Sequence, residues 1–108
     1  MSQNFLLTYS VKAESEHEAD KQKATKVRTD IADIEIWEKT SDVETTFMGS
    51  MVVSGFSDDA KKASAIKQVS EQFLPVLKNH KAQSDHVKIH CVMMLKNVDM
   101  PFDFIIKW

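Results

Sequence analysis

The chain has 108 residues, 43% of them hydrophobic and 28% charged, with 14 Lys plus Arg against 16 Asp plus Glu. That length is one domain, 1–108, and that composition excludes wholesale disorder. A net charge of −2 weighs against a dedicated non-specific nucleic-acid binder, and only two Gly exclude a phosphate-cradling glycine loop.

No apolar run approaches the ~18 residues a membrane helix needs. Met1 to Asn4 carries no basic n-region and Phe5-Leu6-Leu7 is too short for a signal-peptide core. The single Cys91 rules out a disulfide framework and fits a reducing, cytoplasmic setting.

Phe5, Leu7, Tyr9 and Val11 alternate with Leu6, Thr8 and Ser10, a strand with apolar groups on both faces and so a central one. Ser15 and Glu18 have capping-box spacing, which predicts a helix start. Ala24, Val27, Ile31 and Ile34 then fall on one helical face. From Ile34 to Lys39 the pattern shifts to period two, a second strand. Thr40 to Glu44 reads as a turn and Thr45 to Ser54 as a third strand, β-branched and aromatic, paired with the second as a hairpin. Gly49 inside it predicts a bulge or a close backbone approach.

Ser57 before Asp58 and Asp59 is an N-cap with acids in the first turn. Ile66, Val69, Phe73 and Val76 or Leu77 give the second helical face, and Pro75 predicts a kink or an early end. Val87, Ile89, Cys91, Met93 and Leu95 alternate with Lys88, His90, Val92, Met94 and Lys96, the clearest strand of the chain. Phe102, Phe104, Ile106 and Trp108 mark a last strand.

The order β-α-β-β-α-β plus a terminal β predicts an α+β fold: a ferredoxin-like sandwich, an antiparallel sheet with two helices on one face and an extra C-terminal strand. The apolar terminal strand needs a sheet edge, its own or that of a second copy. A homodimer interface over Phe102, Phe104, Ile106 and Trp108 is therefore expected.

Candidate chemistry is sparse. His86 and His90 share a strand face with Lys88 between them, Cys91 faces the other way, and no metal site or cofactor is expected. Cys91 reads as a buried small hydrophobe, and the strand methionines as core filling. No catalytic motif stands out. Lys21, Lys23, Lys26 and Arg28 follow an acidic cluster; they are either the later turns of a dipole-matched helix or a basic face for RNA or DNA.

Phe5 to Val11, the helix after it, Trp37, and Thr45-Thr46-Phe47-Met48 resemble one family. It is the small ferredoxin-fold group that includes the small CRISPR-adaptation nuclease, virulence-associated protein D and the GhoS antitoxin ribonuclease. The resemblance covers the first half; the second half matches in element order. It implies a dimer in which a fifth strand docks on the partner. The family's first strand ends in Tyr-Asp; here it is Tyr9-Ser10. A hydroxyl does not replace a carboxylate as a hard-cation ligand, so the resemblance implies fold and dimer rather than nuclease activity. Glu14 and Glu16 lie close enough in sequence to substitute.

The reading taken is a homodimeric, non-catalytic protein with a regulatory or nucleic-acid-associated role. Two alternatives stand beside it. One is a protein-interaction module or mobile-element nuclease inhibitor, its acidic stretch from Asp30 to Glu44 mimicking phosphate against a protein target. The other is a metal-dependent endoribonuclease.

Overall fold

The computed structural model describes residues 2–39 and 45–108. The order is β1 (Ser2–Ala13), α1 (Glu18–Ala32), β2 (Glu38–Lys39), β3 (Thr46–Val52), α2 (Asp58–Asn79), β4 (Val87–Leu95) and β5 (Phe102–Ile106). The strands form one antiparallel sheet ordered β2-β3-β1-β4-β5. This is the expected ferredoxin-like α+β sandwich, with β5 added beside β4.

Alternation decides the faces. Phe5, Leu7, Tyr9 and Val11 of β1, Phe47 and Met51 of β3, and Val87, Ile89, Cys91, Met93 and Leu95 of β4 are all buried. They form one core with Ala24, Val27 and Ile31 of α1 and Ala65, Val69, Phe73 and Leu77 of α2. Both helices therefore cover the same sheet face. Tyr9, Trp37, Phe47 and Phe73 make a ring cluster at its centre, with centroids 5.5–6.5 Å apart.

Gly49 is the expected close approach. A Cβ there would lie 3.2 Å from Phe5 Cε1 and 3.4 Å from Trp37 Cδ1. Ser57 caps α2 as expected, accepting from the Ala60 amide at 3.1 Å.

Four local expectations are corrected. The Ser15–Glu18 capping box does not form: Ser15 Oγ donates instead to Asp20 Oδ2 at 2.6 Å, and the N-cap is His17. The second strand shrinks to Glu38–Lys39, because the turn closing α1 runs on through Ile34, whose amide donates to the Ile31 carbonyl at 3.1 Å. On α2, Ala65 rather than Ile66 is fully buried. Of the kink or early end expected at Pro75, the early end does not occur, since α2 runs to Asn79. Pro75 is exposed while Leu77, two residues on, is fully buried and its carbonyl accepts from the Ala82 amide at 2.8 Å. That anchoring outweighs the missing donor. The expected turn at Thr40 to Glu44 lies outside the described residues.

The C-terminal strand pairs with β4 of its own chain, from Ile89↔Ile106 to Met93↔Phe102. Phe102 and Ile106 are buried in the chain's own core, and Lys62 Nζ sits 5.7 Å from the Phe102 ring centre. Those two side chains are thereby withdrawn from any contact with a second copy.

Candidate functional site

The sheet face away from the helices is open. Its residues are brought together by register alone. Leu6 lies opposite Met48 on β3 and Met94 on β4. Thr8 lies between Thr46 and Val92, and Val92 faces Asp103. Ser10 faces His90, which faces Ile105. Lys12 faces Lys88 at the far end.

Leu6, Met48, Val52, Val92, Met94 and Ile105 on this face are 38–62% exposed. All but Val52, which lies beyond Ser50 opposite Ser2, form an apolar band across β3, β1, β4 and β5. Singly exposed apolar residues need no explanation, but a contiguous patch of several marks an interaction surface. The methionines read as core filling therefore divide: Met51 and Met93 are buried, whereas Met48 and Met94 belong to the open face and Met100 to an exposed turn.

A shallow depression of about 280 Å³ on this face is lined by Ser10, His90 and Asp103 among others. Among the described residues no side-chain hydrogen bond joins these three. A nucleophile needs its base within hydrogen-bond reach and the base needs an orienting partner, so the trio does not form a relay. Ser10 is exposed on the open face; Tyr9, its neighbour, points the other way into the ring cluster. The two family-motif positions thus lie on opposite sides of the sheet.

The basic segment of α1 does not present one face. Lys21 pairs with Glu16 at 3.2 Å. Lys23 Nζ donates to the Lys81 carbonyl at 3.2 Å and lies 3.3 Å from His86 Nδ1. Lys26 is exposed. Arg28 Nη2 reaches the Val11 carbonyl at 2.8 Å. Lys21, Lys23 and Arg28 each serve a different neighbour, and a continuous backbone-tracking groove of the kind nucleic acid needs is not built from the four.

The acids behave similarly. Glu14 pairs with Lys88, Glu16 with Lys21, and Asp30 Oδ2 with His80 Nε2 at 2.6 Å, a link between the two helices. Asp33, Glu35 and Glu38 of the acidic stretch are exposed, and Asp42 and Glu44 lie outside the described residues. Among the described residues no three His, Cys, Asp or Glu side chains converge to hold a metal. Cys91 is buried, and burial pushes its thiol up to about 12.

The remaining dimer-interface candidates are half-buried Phe104 and Trp108, the latter 41% exposed. The Trp108 carbonyl accepts from the Ser84 amide at 2.7 Å, which ties this residue to its own chain. Periodicity did not reveal the open-face band, because it treats Leu6, Val92 and Met94 as the polar side of their strands. No helix of the described residues is long and apolar enough to cross a membrane. Comparison with protein-family models, with curated proteins and with solved structures gave no match.

Proposed function

We propose that the protein is a small, non-catalytic regulatory protein that acts as a homodimer, with the open sheet face as the surface between the two copies. The observation that carries this reading is the apolar band Met48–Leu6–Met94 with Val92 and Ile105 beside it.

The size suits a second copy. Five strands spaced ~4.8 Å, with β3 contributing seven residues at ~3.4 Å each, give a face on the order of 600 Å². Two such faces bury roughly 1,200 Å², the lower end of stable interfaces. Sheets stack face to face about 10 Å apart with interdigitated side chains, and flexible Met48 and Met94 suit that packing. A two-fold axis across the strands reverses one copy. The Lys12–Lys88 end of one then lies over the Asn4–Ser50 end of the other, where Lys96 sits beside Asn4, so the Lys12–Lys88 pairs of the two copies do not face each other.

Among the described strand residues the face offers no Phe, Tyr or Trp to stack a base, His90 being its one ring. This favours protein over single-stranded nucleic acid as its occupant. The resemblance read from the sequence also favours a dimer, although there the fifth strand carries it. Ser10, in place of a carboxylate, favours the non-catalytic reading.

Sedimentation velocity on the full chain tests the proposal. The expected result is a dimer at micromolar concentration that Leu6→Lys and Met94→Lys each convert to a folded monomer. A parent that sediments as a monomer at 100 micromolar-scale concentration, or lysine variants that remain dimeric, overturns it. Gel shifts against RNA, single-stranded and duplex DNA, with and without magnesium, complete the test: cleavage overturns the non-catalytic reading.

A further inference from the structure

β1 is twelve residues long but β3 only seven, and their pairing stops at Thr8↔Thr46. One more bond, from the Tyr9 amide to the Thr45 carbonyl at 3.0 Å, closes that side of the sheet. Beyond it, among the described residues, the β3-side edge of β1 has no strand beside it, and α1 crosses above. The notch that results is a cleft of about 300 Å³ lined by Tyr9, Arg28, Thr29, Ala32, Asp33, Lys39 and Thr45.

The side chains there hold more donors than the protein uses. Arg28 carries five N–H donors in a planar fork, and Nη2 makes its bond to the Val11 carbonyl. The Lys39 ammonium, whose residue also lines the cleft, has no hydrogen bond or ion pair among the described residues, and neither does the Asp33 carboxylate. Tyr9 is only 4% exposed, and its hydroxyl has no partner among the described residues. A buried polar group left without a partner costs about 1–3 kcal/mol, so it is an exception that a ligand or water would relieve. Burial pushes the pKa of the Tyr9 phenol up to about 12, and the Arg28 guanidinium, close by, offsets part of that rise.

We propose that this cleft, between α1 and the uncovered edge of β1, binds a small oxyanion, the carboxylate or phosphate group of a small molecule. Among the described residues two cations, Arg28 and Lys39, stand against one carboxylate, Asp33. A guanidinium fork matches the geometry of two oxygens, and the Lys39 ammonium adds a second cation to the same cleft. Asp33 and the C-terminal end of α1 oppose an anion at one wall. The molecule that carries the oxyanion therefore presents a hydroxyl or ammonium donor to Asp33. The cleft volume is at the small end of ligand sites, which suits a metabolite-sized molecule and excludes a polymer. The site is independent of the open sheet face.

An NMR titration of the full chain at constant ionic strength, with inorganic phosphate in one arm and acetate in the other, tests this. The expected result is saturable shifts confined to the amides of Arg28, Thr29, Ala32, Asp33, Lys39 and Thr45 in at least one arm. Lys39→Gln should weaken the fitted affinity at least tenfold, while Lys67→Gln, on an exposed turn of α2, leaves it unchanged. Saturation with phosphate alone assigns a phosphate ester; saturation with acetate assigns a carboxylate. Shifts that stay linear and spread over all lysines in both arms, or an unchanged affinity in Lys39→Gln, overturn the proposal.

Discussion

Gly49 sits directly opposite Phe5 in the β1–β3 register, and the Phe5 ring, in edge contact with Trp37 at 5.3 Å, occupies the space that a side chain at 49 would take. The rings hold each other in place, so neither can retreat freely. Gly49→Ala gains ~0.4–1 kcal/mol from a stiffer unfolded chain but overpacks the core by ~1–3 kcal/mol. A net loss of about 1 kcal/mol is expected in urea unfolding; an unchanged midpoint would show that Trp37 yields.

Gly55 is a different case. Its φ is 104°, where side chains are strained, and a Cβ would run into the Ala60 methyl in the first turn of α2. Gly55→Ala is expected to cost more than Gly49→Ala, by thermal melting of the two variants side by side.

Pro75 weakens a helix that tertiary packing nonetheless carries through to Asn79. Pro75→Ala restores a backbone donor in an exposed position. It should stabilise by about 1–3 kcal/mol and raise the melting temperature. A lower melting temperature would mean that the proline ring itself packs.

Phe73 is fully buried and touches the rings of Tyr9, Trp37 and Phe47; Val69, one turn before it, is also fully buried. Phe73→Ala should cost about 3–5 kcal/mol and Val69→Ala less, since fewer atoms leave a smaller cavity. Equal losses would contradict the ring cluster as the centre of the core.

Alkaline pH should destabilise the fold. Burial raises the Cys91 thiol from 9.0 and the Tyr9 phenol from 10.0, both to about 12. The unfolded chain therefore loses these protons first, and the native state holds more protons across that interval. Their contribution is fully present below pH ~9 and is lost as the pH climbs through ~9 to ~12. Denaturant midpoints measured from pH 8 to 10.5 should fall, and the fall should be shallower in Cys91→Ala with Tyr9→Phe. The same burial predicts that a thiol reagent labels Cys91 only when denaturant opens the chain.

Deleting 102–108 is a poor probe of assembly, because it strips Phe102 and Ile106 from the core of the same chain. The point variants on the open face avoid that fault.

Alternation and helical spacing are properties of neighbours in sequence, and the sequence determined what depends on them. The order of elements, the buried side of β1 and β4, the Ser57 cap and the core contribution of Ala24, Val27, Ile31, Val69 and Phe73 are all written in local pattern. Tertiary structure decided what depends on which strand lies beside which. Leu6, Met48 and Met94 form one row only because β3 and β4 flank β1 in a particular register. Arg28 and Lys39 share a cleft only because β3 stops before β1 does. Phe102 and Ile106 face inward because β5 pairs with the edge of β4 in the register Ile89↔Ile106 to Met93↔Phe102. A strand pattern fixes which side chains share a face, but register and edge are set by pairing across tens of residues, where backbone hydrogen bonds and core volume make the choice.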